Sequence, residues 1–426
     1  MKFVLACYGM RGDVDPGVVV GRELQRRGHD VCLAVAPNLV SFVEAAGLTA
    51  VGCGIDSRVV AETQRRYWTS LARTPWKIRE RNRVGAEIRE QTTRCWREMT
   101  ETLSSLADGA DLLIAGPIFE QPVINVAEHC DVALATLHFF PVRPHGRILR
   151  WVPGPISRAG MAANDWLTWR TMRSVEDGLR RDLGLPNVTV SAPNRITQRG
   201  SLEIQAYDPV CFPGLADEWS KFNGQRPFVG ALTMESPADS DAEVLSWIGA
   251  GTPPIYFGFG SITVGSAADT IAMISAACAR LGERALVGAG GTDFSNVAIP
   301  GHVKVVGMMD YATVFPACRA VVHHGGGGTT AAGMRAGVPT LILWTLPDQP
   351  LWGAVVRRLK VGTSRRFSSA TEDTLVRDLR RVLSPRYRTR ALELTAELTN
   401  PADSIAAAAD HLETFARWSS GGPQAR

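Results

Sequence analysis

Val321-Val322-His323-His324-Gly325-Gly326-Gly327-Gly328-Thr329-Thr330-Ala331-Ala332 runs from an apolar strand through four glycines into a helix-prone segment. A strand that ends in a glycine turn and restarts as a helix presents unpaired backbone N–H groups at the carboxyl edge of a sheet, and such amides attract anionic oxygen. Glycine lets a diphosphate approach the backbone closely, and an imidazole beside it donates one more hydrogen bond, an arrangement that can replace a metal ion. The same glycines also suit a plain loop needing positive φ, with both histidines as buried partners. The flanking strand and helix favour the phosphate cradle.

Around this turn, apolar runs at Ile255–Phe259, Ala285–Val287, Val303–Val306, Ala320–His323 and Thr340–Trp344 alternate with helix-like segments, and Gly282 and Gly337 sit where helices should end. The N-terminal half has the same build. Phe3–Cys7 is a strand, Asp15-Pro16 reads as N-cap and first helical residue, Val20 and Leu24 form a buried i, i+4 pair, Gly28 ends the helix, and Val31–Val35 is the next strand. Strands are also expected at Leu112–Ala115 and Val132–Thr136. The long helix before them begins at Thr74-Pro75 and carries Ile78, Ile88, Cys95, Met99, Leu103 and Leu106 near helical spacing. The fold class is therefore α/β, with two Rossmann-like parallel-sheet domains at residues 1–215 and 241–400. A linker at 216–240 joins them, and 401–426 is expected as a C-terminal helix packing back on the N-terminal domain. Ligands of such sheets bind at the carboxyl ends of the strands, so the expected site is a cleft lined by loops of both domains.

The bulk properties narrow the function. A chain of 426 residues exceeds one ordinary core. Its net charge is only +4, and the basic excess is local to Arg58–Arg97, which speaks against nucleic acid as a partner. Eight cysteines without a CxxC pair indicate neither a zinc site nor a disulfide framework, and fit a reducing cytoplasm. No apolar run approaches the ~20 residues that span a bilayer, so any membrane contact would be peripheral, on its inner face.

His323–Thr330 resembles the HHGGxGTT stretch of bacterial GT-B glycosyltransferases of the UDP-glycosyltransferase-like superfamily, similar to those of glycopeptide antibiotics, mycobacterial glycopeptidolipids and sterols. Gly9-Met10-Arg11-Gly12-Asp13-Val14-Asp15-Pro16, Phe257-Gly258-Phe259-Gly260-Ser261 and Pro347-Asp348-Gln349-Pro350 match the same family in order, with Gly327 where relatives often have Ala. The resemblance implies a GT-B fold with two domains facing across a cleft and a nucleotide sugar, UDP- or dTDP-linked, as co-substrate. It also implies no metal or other cofactor, and inverting transfer of a hexose or deoxyhexose to a hydroxyl of a hydrophobic acceptor such as a lipopeptide, glycolipid or sterol. It makes Asp13 the catalytic base and assigns the donor phosphates to His323, Gly325, Gly326, Gly327, Gly328, Thr329 and Ser261, with His324 structural. Asp348 and Gln349 would hold the sugar, backbone near Met308 and Met309 the nucleobase, and Arg11 and Gly12 the acceptor. Trp68 and Trp76, within the basic stretch, would border the acceptor pocket or rest on an anionic membrane surface.

Plainer readings stand beside these. Asp13 can simply hold a turn. Asp13-Val14-Asp15 is also a DxD pattern of the kind that binds manganese, although Asp15 before Pro16 is better explained as an N-cap. Asp348 and Gln349 can cap the helix that carries Trp352 and Val355. A dinucleotide-dependent oxidoreductase would need GxGxxG after the first strand, a spacing that Gly9-Met10-Arg11-Gly12 does not supply. A non-catalytic sugar-nucleotide or lipid-binding relative is disfavoured by Asp13, His323 and Asp348 occurring together.

Overall fold

The structure is a computed structural model that describes residues 1–73, 78–147, 152–234, 241–260, 266–346 and 349–421. The chain divides into two compact units, Met1–Leu232 with Thr399–Arg426, and Thr233–Leu398. The boundary at Leu232 lies inside the segment read as linker, and residues 216–232 are part of the first unit. Phe228 forms a parallel bridge with Gln205, and Arg226 is buried against Glu203.

The first unit holds a parallel sheet of β1 (Lys2–Cys7), β2 (Asp30–Val35), β3 (Thr49–Gly52), β4 (Leu112–Ala115), β5 (Ala133–His138) and β6 (Leu202–Gln205), in the order β3-β2-β1-β4-β5-β6. Phe3, Val4 and Leu5 are fully buried, because helices cover both faces of a parallel sheet and every position of a central strand turns inward. In the second unit β7 (Ile255–Gly258), β8 (Ala285–Gly288), β9 (Val303–Val306), β10 (Ala320–His323), β11 (Thr340–Trp344) and β12 (Gly362–Arg366) take the order β12-β11-β10-β7-β8-β9. Both orders reverse direction once, between β1 and β4 and between β7 and β10. Those two points are where such sheets open a crevice for ligands.

The first helix spans Arg11–Arg26 with Met10 as N-cap, so the expectation that Asp15 caps it is corrected: Asp15 and Pro16 lie inside the helix. Starting five residues earlier places Asp13 in the first turn. Pro16 has no N–H for the carbonyl of Gly12, which is left without its helical donor. At the other end Gly28 adopts φ 86° and donates its N–H to the Gln25 carbonyl, closing the helix as expected. The proposed start at Thr74-Pro75 falls outside the described residues, and the helix that follows runs Ile78–Ala107.

The C-terminal helix, Pro401–Gly421, belongs to the first unit. Asp208 receives the backbone N–H of Thr399 at 2.7 Å as the chain returns. Arg27 then pairs with Asp410 at 2.6 Å, and His29 with Glu413 at 3.0 Å. Among the described residues, no helix is long and apolar enough to cross a membrane.

Candidate active site

The cradle stands at the crevice of the second sheet, where β10 adjoins β7. β10 ends at His323, and after His324 and two glycines the helix Gly327–Arg335 begins with Gly326 as N-cap. Gly325 takes φ 101°, and a Cβ there would meet Ile342 Cγ2 at 2.9 Å and Gln349 Cβ at 3.1 Å, so only glycine fits. No side chain caps the helix, and its first intrahelical donor is Thr330, bonding to the Gly326 carbonyl at 2.9 Å. The N–H groups of Gly327, Gly328 and Thr329 therefore point off the positive end of the helix. Gly328 is exposed and Gly327 and Thr329 are half-exposed, leaving these amides open to a ligand.

The two histidines have different surroundings. His323 is fully buried, and its Nδ1 accepts the Gly325 N–H at 3.0 Å, which fixes the turn. His324 is half-buried and borders the cradle: a Cβ on Gly326 would lie 2.7 Å from its Nε2, and one on Gly260 2.7 Å from its Cε1. The Nδ1 of His323 is thus taken by the turn, which leaves Nε2 as the nitrogen through which its expected phosphate contact would be made. Burial lowers both imidazoles, with the neighbouring His324 adding to the effect at His323. His324 comes down to about 4 although its bond with the Gly258 backbone acts in the opposite sense. Both rings are neutral at pH 7, and His323 keeps one buried nitrogen, Nε2, without a hydrogen-bond partner among the described residues.

Other expected donor residues are distributed around this point. Gln349 is buried, and its Oε1 accepts the backbone N–H groups of Thr345 at 2.8 Å and Leu346 at 3.0 Å. That oxygen braces the loop after β11 and is engaged by its two amides. Met308 is exposed and Met309 is packed into the core beside Tyr256 and Phe315, beyond the end of β9. β9 lies three strand spacings from β10, about 14 Å. Ser261, Asp348 and Trp76 lie outside the described residues, as does the side chain of Trp68.

Asp13 sits in the first turn of helix Arg11–Arg26, beside the crevice of the first sheet. Its Oδ2 accepts the Met10 N–H at 2.7 Å, and a Cβ on Gly9 would come 2.4 Å from that oxygen. The helix terminus favours the ionised carboxylate. Part of the role is thus the plain one of closing the turn, although the group remains half-exposed. Asp15 is two positions on, about 200° around the helix, so the two carboxylates diverge and cannot chelate one ion together. Asp15 pairs instead with Arg11, Nε to Oδ1 at 3.6 Å, and Arg11 lies over the Phe42 ring at 4.6 Å.

Sequence reasoning missed what lines the rest of that edge. Met10 after β1, Ile118 and Phe119 after β4, and Phe139 and Phe140 after β5 are all half-exposed. Phe119 adopts the left-handed conformation at φ 60°, which packs its ring against Tyr8 and Trp96 and turns Glu120 inward. Behind this apolar rim, His138 bonds Glu120 at 2.8 Å, and Arg143 clamps Glu120 at 2.7 Å while also reaching Glu203. Burial acts against the charge of Glu120, but Arg143 and His138 hold it down at about 2.

Residues 3–111 match the glycosyltransferase family 28 N-terminal domain, and residues 288–409 the erythromycin biosynthesis protein CIII-like C-terminal domain. The chain is 55% identical over 419 residues to the uncharacterized glycosyltransferase Rv1524 of Mycobacterium tuberculosis, covering 98% of this chain and 99% of that one. The chain belongs to the UDP-glycosyltransferase-like GT-B glycosyltransferases. This glycosyltransferase is also 30% identical over 425 residues to the sterol 3-beta-glucosyltransferase UGT80B1 of Arabidopsis thaliana, covering 96% of this chain and 67% of that one. Its fold matches the crystal structure of glycosyltransferase VinC in complex with dTDP, with a TM-score of 0.63 at 18% identity over 99% of this chain and 100% of that one. The glycosyltransferase uses a nucleotide-sugar donor, and the cradle has the chemistry to hold its diphosphate. The charged residues behind this edge of the first sheet carried no sequence signal: Glu120, His138, Arg143 and Glu203 are spread over more than eighty positions and meet only through the sheet order.

Proposed function

We propose that this enzyme transfers a hexose or deoxyhexose, with inversion and without a metal, from a UDP- or dTDP-linked donor to a hydroxyl of a hydrophobic acceptor. The observation that carries the reading is the uncapped turn Gly327–Thr329 with His324 beside it. Three amides and a neutral imidazole N–H stabilise the charge that develops on the departing diphosphate, a task a metal ion performs elsewhere. Asp13 is the base. The acceptor oxygen bonds to the anomeric carbon while the bond from that carbon to the diphosphate oxygen breaks, the acceptor proton passes to the Asp13 carboxylate, and the electron pair leaves with the nucleotide. The half-exposed row Met10, Ile118, Phe119, Phe139 and Phe140 favours an apolar acceptor, and a relative named for sterol glucosylation is consistent with one. Sugar contacts remain proposed for Asp348, phosphate contacts for Ser261, and a nucleobase resting against backbone near Met308 and Met309.

Calorimetric titration with nucleoside diphosphate tests the cradle. His324→Ala should weaken binding by about tenfold, the value of one hydrogen bond to a charged group, with the melting temperature little changed. His323→Ala should instead lower the melting temperature. Weakened binding confined to the His323 variant would overturn the assignment. Asp13→Asn keeps an oxygen for the Met10 N–H but cannot take a proton, so it should lose transfer by about 10²-fold or more while remaining folded. Retained transfer would leave Asp13 with the turn alone.

A further inference from the structure

The helix Gly154–Asp182 is inverted over its first four turns. Between Gly154 and Trp169 its only charged residues are Arg158 and Asp165, and both lie on the half-buried stripe that continues through Trp169 and Glu176 to Leu179. The opposite stripe, Ile156, Ala159, Gly160, Ala163, Trp166 and Leu167, is exposed and uncharged. Ile156 is 63% exposed, Trp166 49% and Leu167 56%. A helix that faced only water would put its charges outward and its apolar side chains inward. From Ile156 to Leu167 this apolar stripe is about 16 Å long, enough to meet an extended surface along its length.

The rim of the stripe says which surface. Arg170 is exposed and lies over the Trp166 ring at 5.3 Å. The side chains of Arg158 and Arg173 are each 42% exposed, while the neighbouring acids are turned in, Asp177 at 15% and Glu176 at 1%. Arg89, on the adjoining helix Ile78–Ala107, is exposed and donates to the Thr171 carbonyl at 3.3 Å. Arg158, Arg170, Arg173 and Arg89 thus give the stripe a basic rim, with Glu90 and Asp182 as exposed acids farther along the two helices. Trp and Arg have apolar bodies with polar tips, the build that suits the boundary between lipid headgroups and acyl chains. Pairing this face with a second copy of itself would set arginines against arginines.

We propose that the outward face of helix Gly154–Asp182 seats on an anionic lipid surface, with Ile156, Trp166 and Leu167 entering the headgroup boundary and Arg170 meeting lipid phosphate. This goes beyond the reaction proposed above and sets the apolar part of the lipid contact on this helix, with Arg89 of the Arg58–Arg97 stretch at its rim. It is tested by flotation of the full chain with vesicles of phosphatidylcholine and with vesicles containing an equal share of phosphatidylglycerol. The protein should float with the anionic vesicles and be released by salt. The double variant Ile156→Ser, Leu167→Ser should lower the bound fraction by about tenfold or more, and Arg170→Glu by about fivefold or more. Melting temperature and transfer to a detergent-dispersed acceptor without vesicles should be unchanged in both, which separates the docking from the chemistry. The proposal is overturned if the wild type stays unbound with both vesicle types or if the variants float like the wild type. It is equally overturned if light scattering finds a dimer that the double variant dissolves.

Discussion

A methyl group on Gly325 would have to sit 2.9 Å from Ile342 Cγ2 on a backbone at φ 101°, so the turn that presents the cradle tolerates no side chain. Gly325→Ala should cost about 2–4 kcal/mol, combining a left-handed residue with an overpacked contact, and chemical denaturation would measure it. A loss below about half a kilocalorie would mean the turn relaxes freely. Asp15 makes a second single-residue test. Burial, partly offset by Arg11, lifts its carboxyl from 3.8 to about 6. The fold therefore favours the protonated form: below pH 3.8 there is no penalty, across 3.8 to 6 it grows, and above 6 it is fully present. Its ceiling is about 3 kcal/mol, and with 29% of the side chain exposed the realised value is nearer ~1–2. Asp15→Asn should thus stabilise the protein at pH 7 and change nothing at pH 3.5; an equal effect at both would refute the ionisation argument. The sequence made Asp15 an N-cap because Asp before Pro is a strong local signal. It was outweighed by Asp13, whose carboxylate closes the turn onto Met10 and starts the helix earlier.

Among the elements, strands carrying a run of apolar residues were legible, the half-buried β9 included, whereas β3, β6 and β12 were not. β1, β4, β7, β10 and β11 read directly from their runs of Val, Leu, Ile and Phe. β6 escaped because Leu202-Glu203-Ile204-Gln205 alternates like a half-exposed strand, whereas all four residues are buried and Glu203 meets Arg143 and Arg226 in the interior. β12, Gly362-Thr363-Ser364-Arg365-Arg366, carries the polar character of an edge strand and has no period to detect. The helix Glu120–His129 depends on the same interior charges as β6. Glu120→Ala would leave buried His138 without its carboxylate and Arg143 with Glu203 alone, and should destabilise by about 3 kcal/mol, read from urea denaturation at pH 7. Glu120 is held at about 2 against an ordinary 4.5, so its contribution is present above pH 4.5 and fades as the pH falls toward 2. Wild type and variant should therefore converge in acid, and a gap that persisted at pH 2.5 would point to packing, not charge.

For the molecule as a whole, the histidines set the acid limit before the carboxylates do. His145 and His324 are brought down to about 4, and His138 and His323 are also lowered, in each case chiefly by burial. A depressed imidazole stabilises the fold above its ordinary 6.5, and that contribution is lost as the pH falls from 6.5 toward 4. The melting temperature should decline steadily over that window; a flat profile down to pH 4.5 would contradict the burial of these rings. The division into two α/β halves was legible because each half repeats strand, glycine turn and helix. Where the first half ends was not, since residues 216–232 are rich in turn formers and yet supply Arg226 and Phe228 to its interior. The return of the chain through Thr399 also bears on how the protein is made. The second unit is an insertion within the first, complete by Leu398, while the first still awaits its last helix. During synthesis the second unit can fold on the ribosome as soon as it emerges, but the half translated first is the last to be finished. Until Arg27 and His29 receive Asp410 and Glu413 from the final stretch of chain, its back face stays open. A stalled or shortened product therefore exposes the older half to chaperones and proteases and leaves the younger one intact.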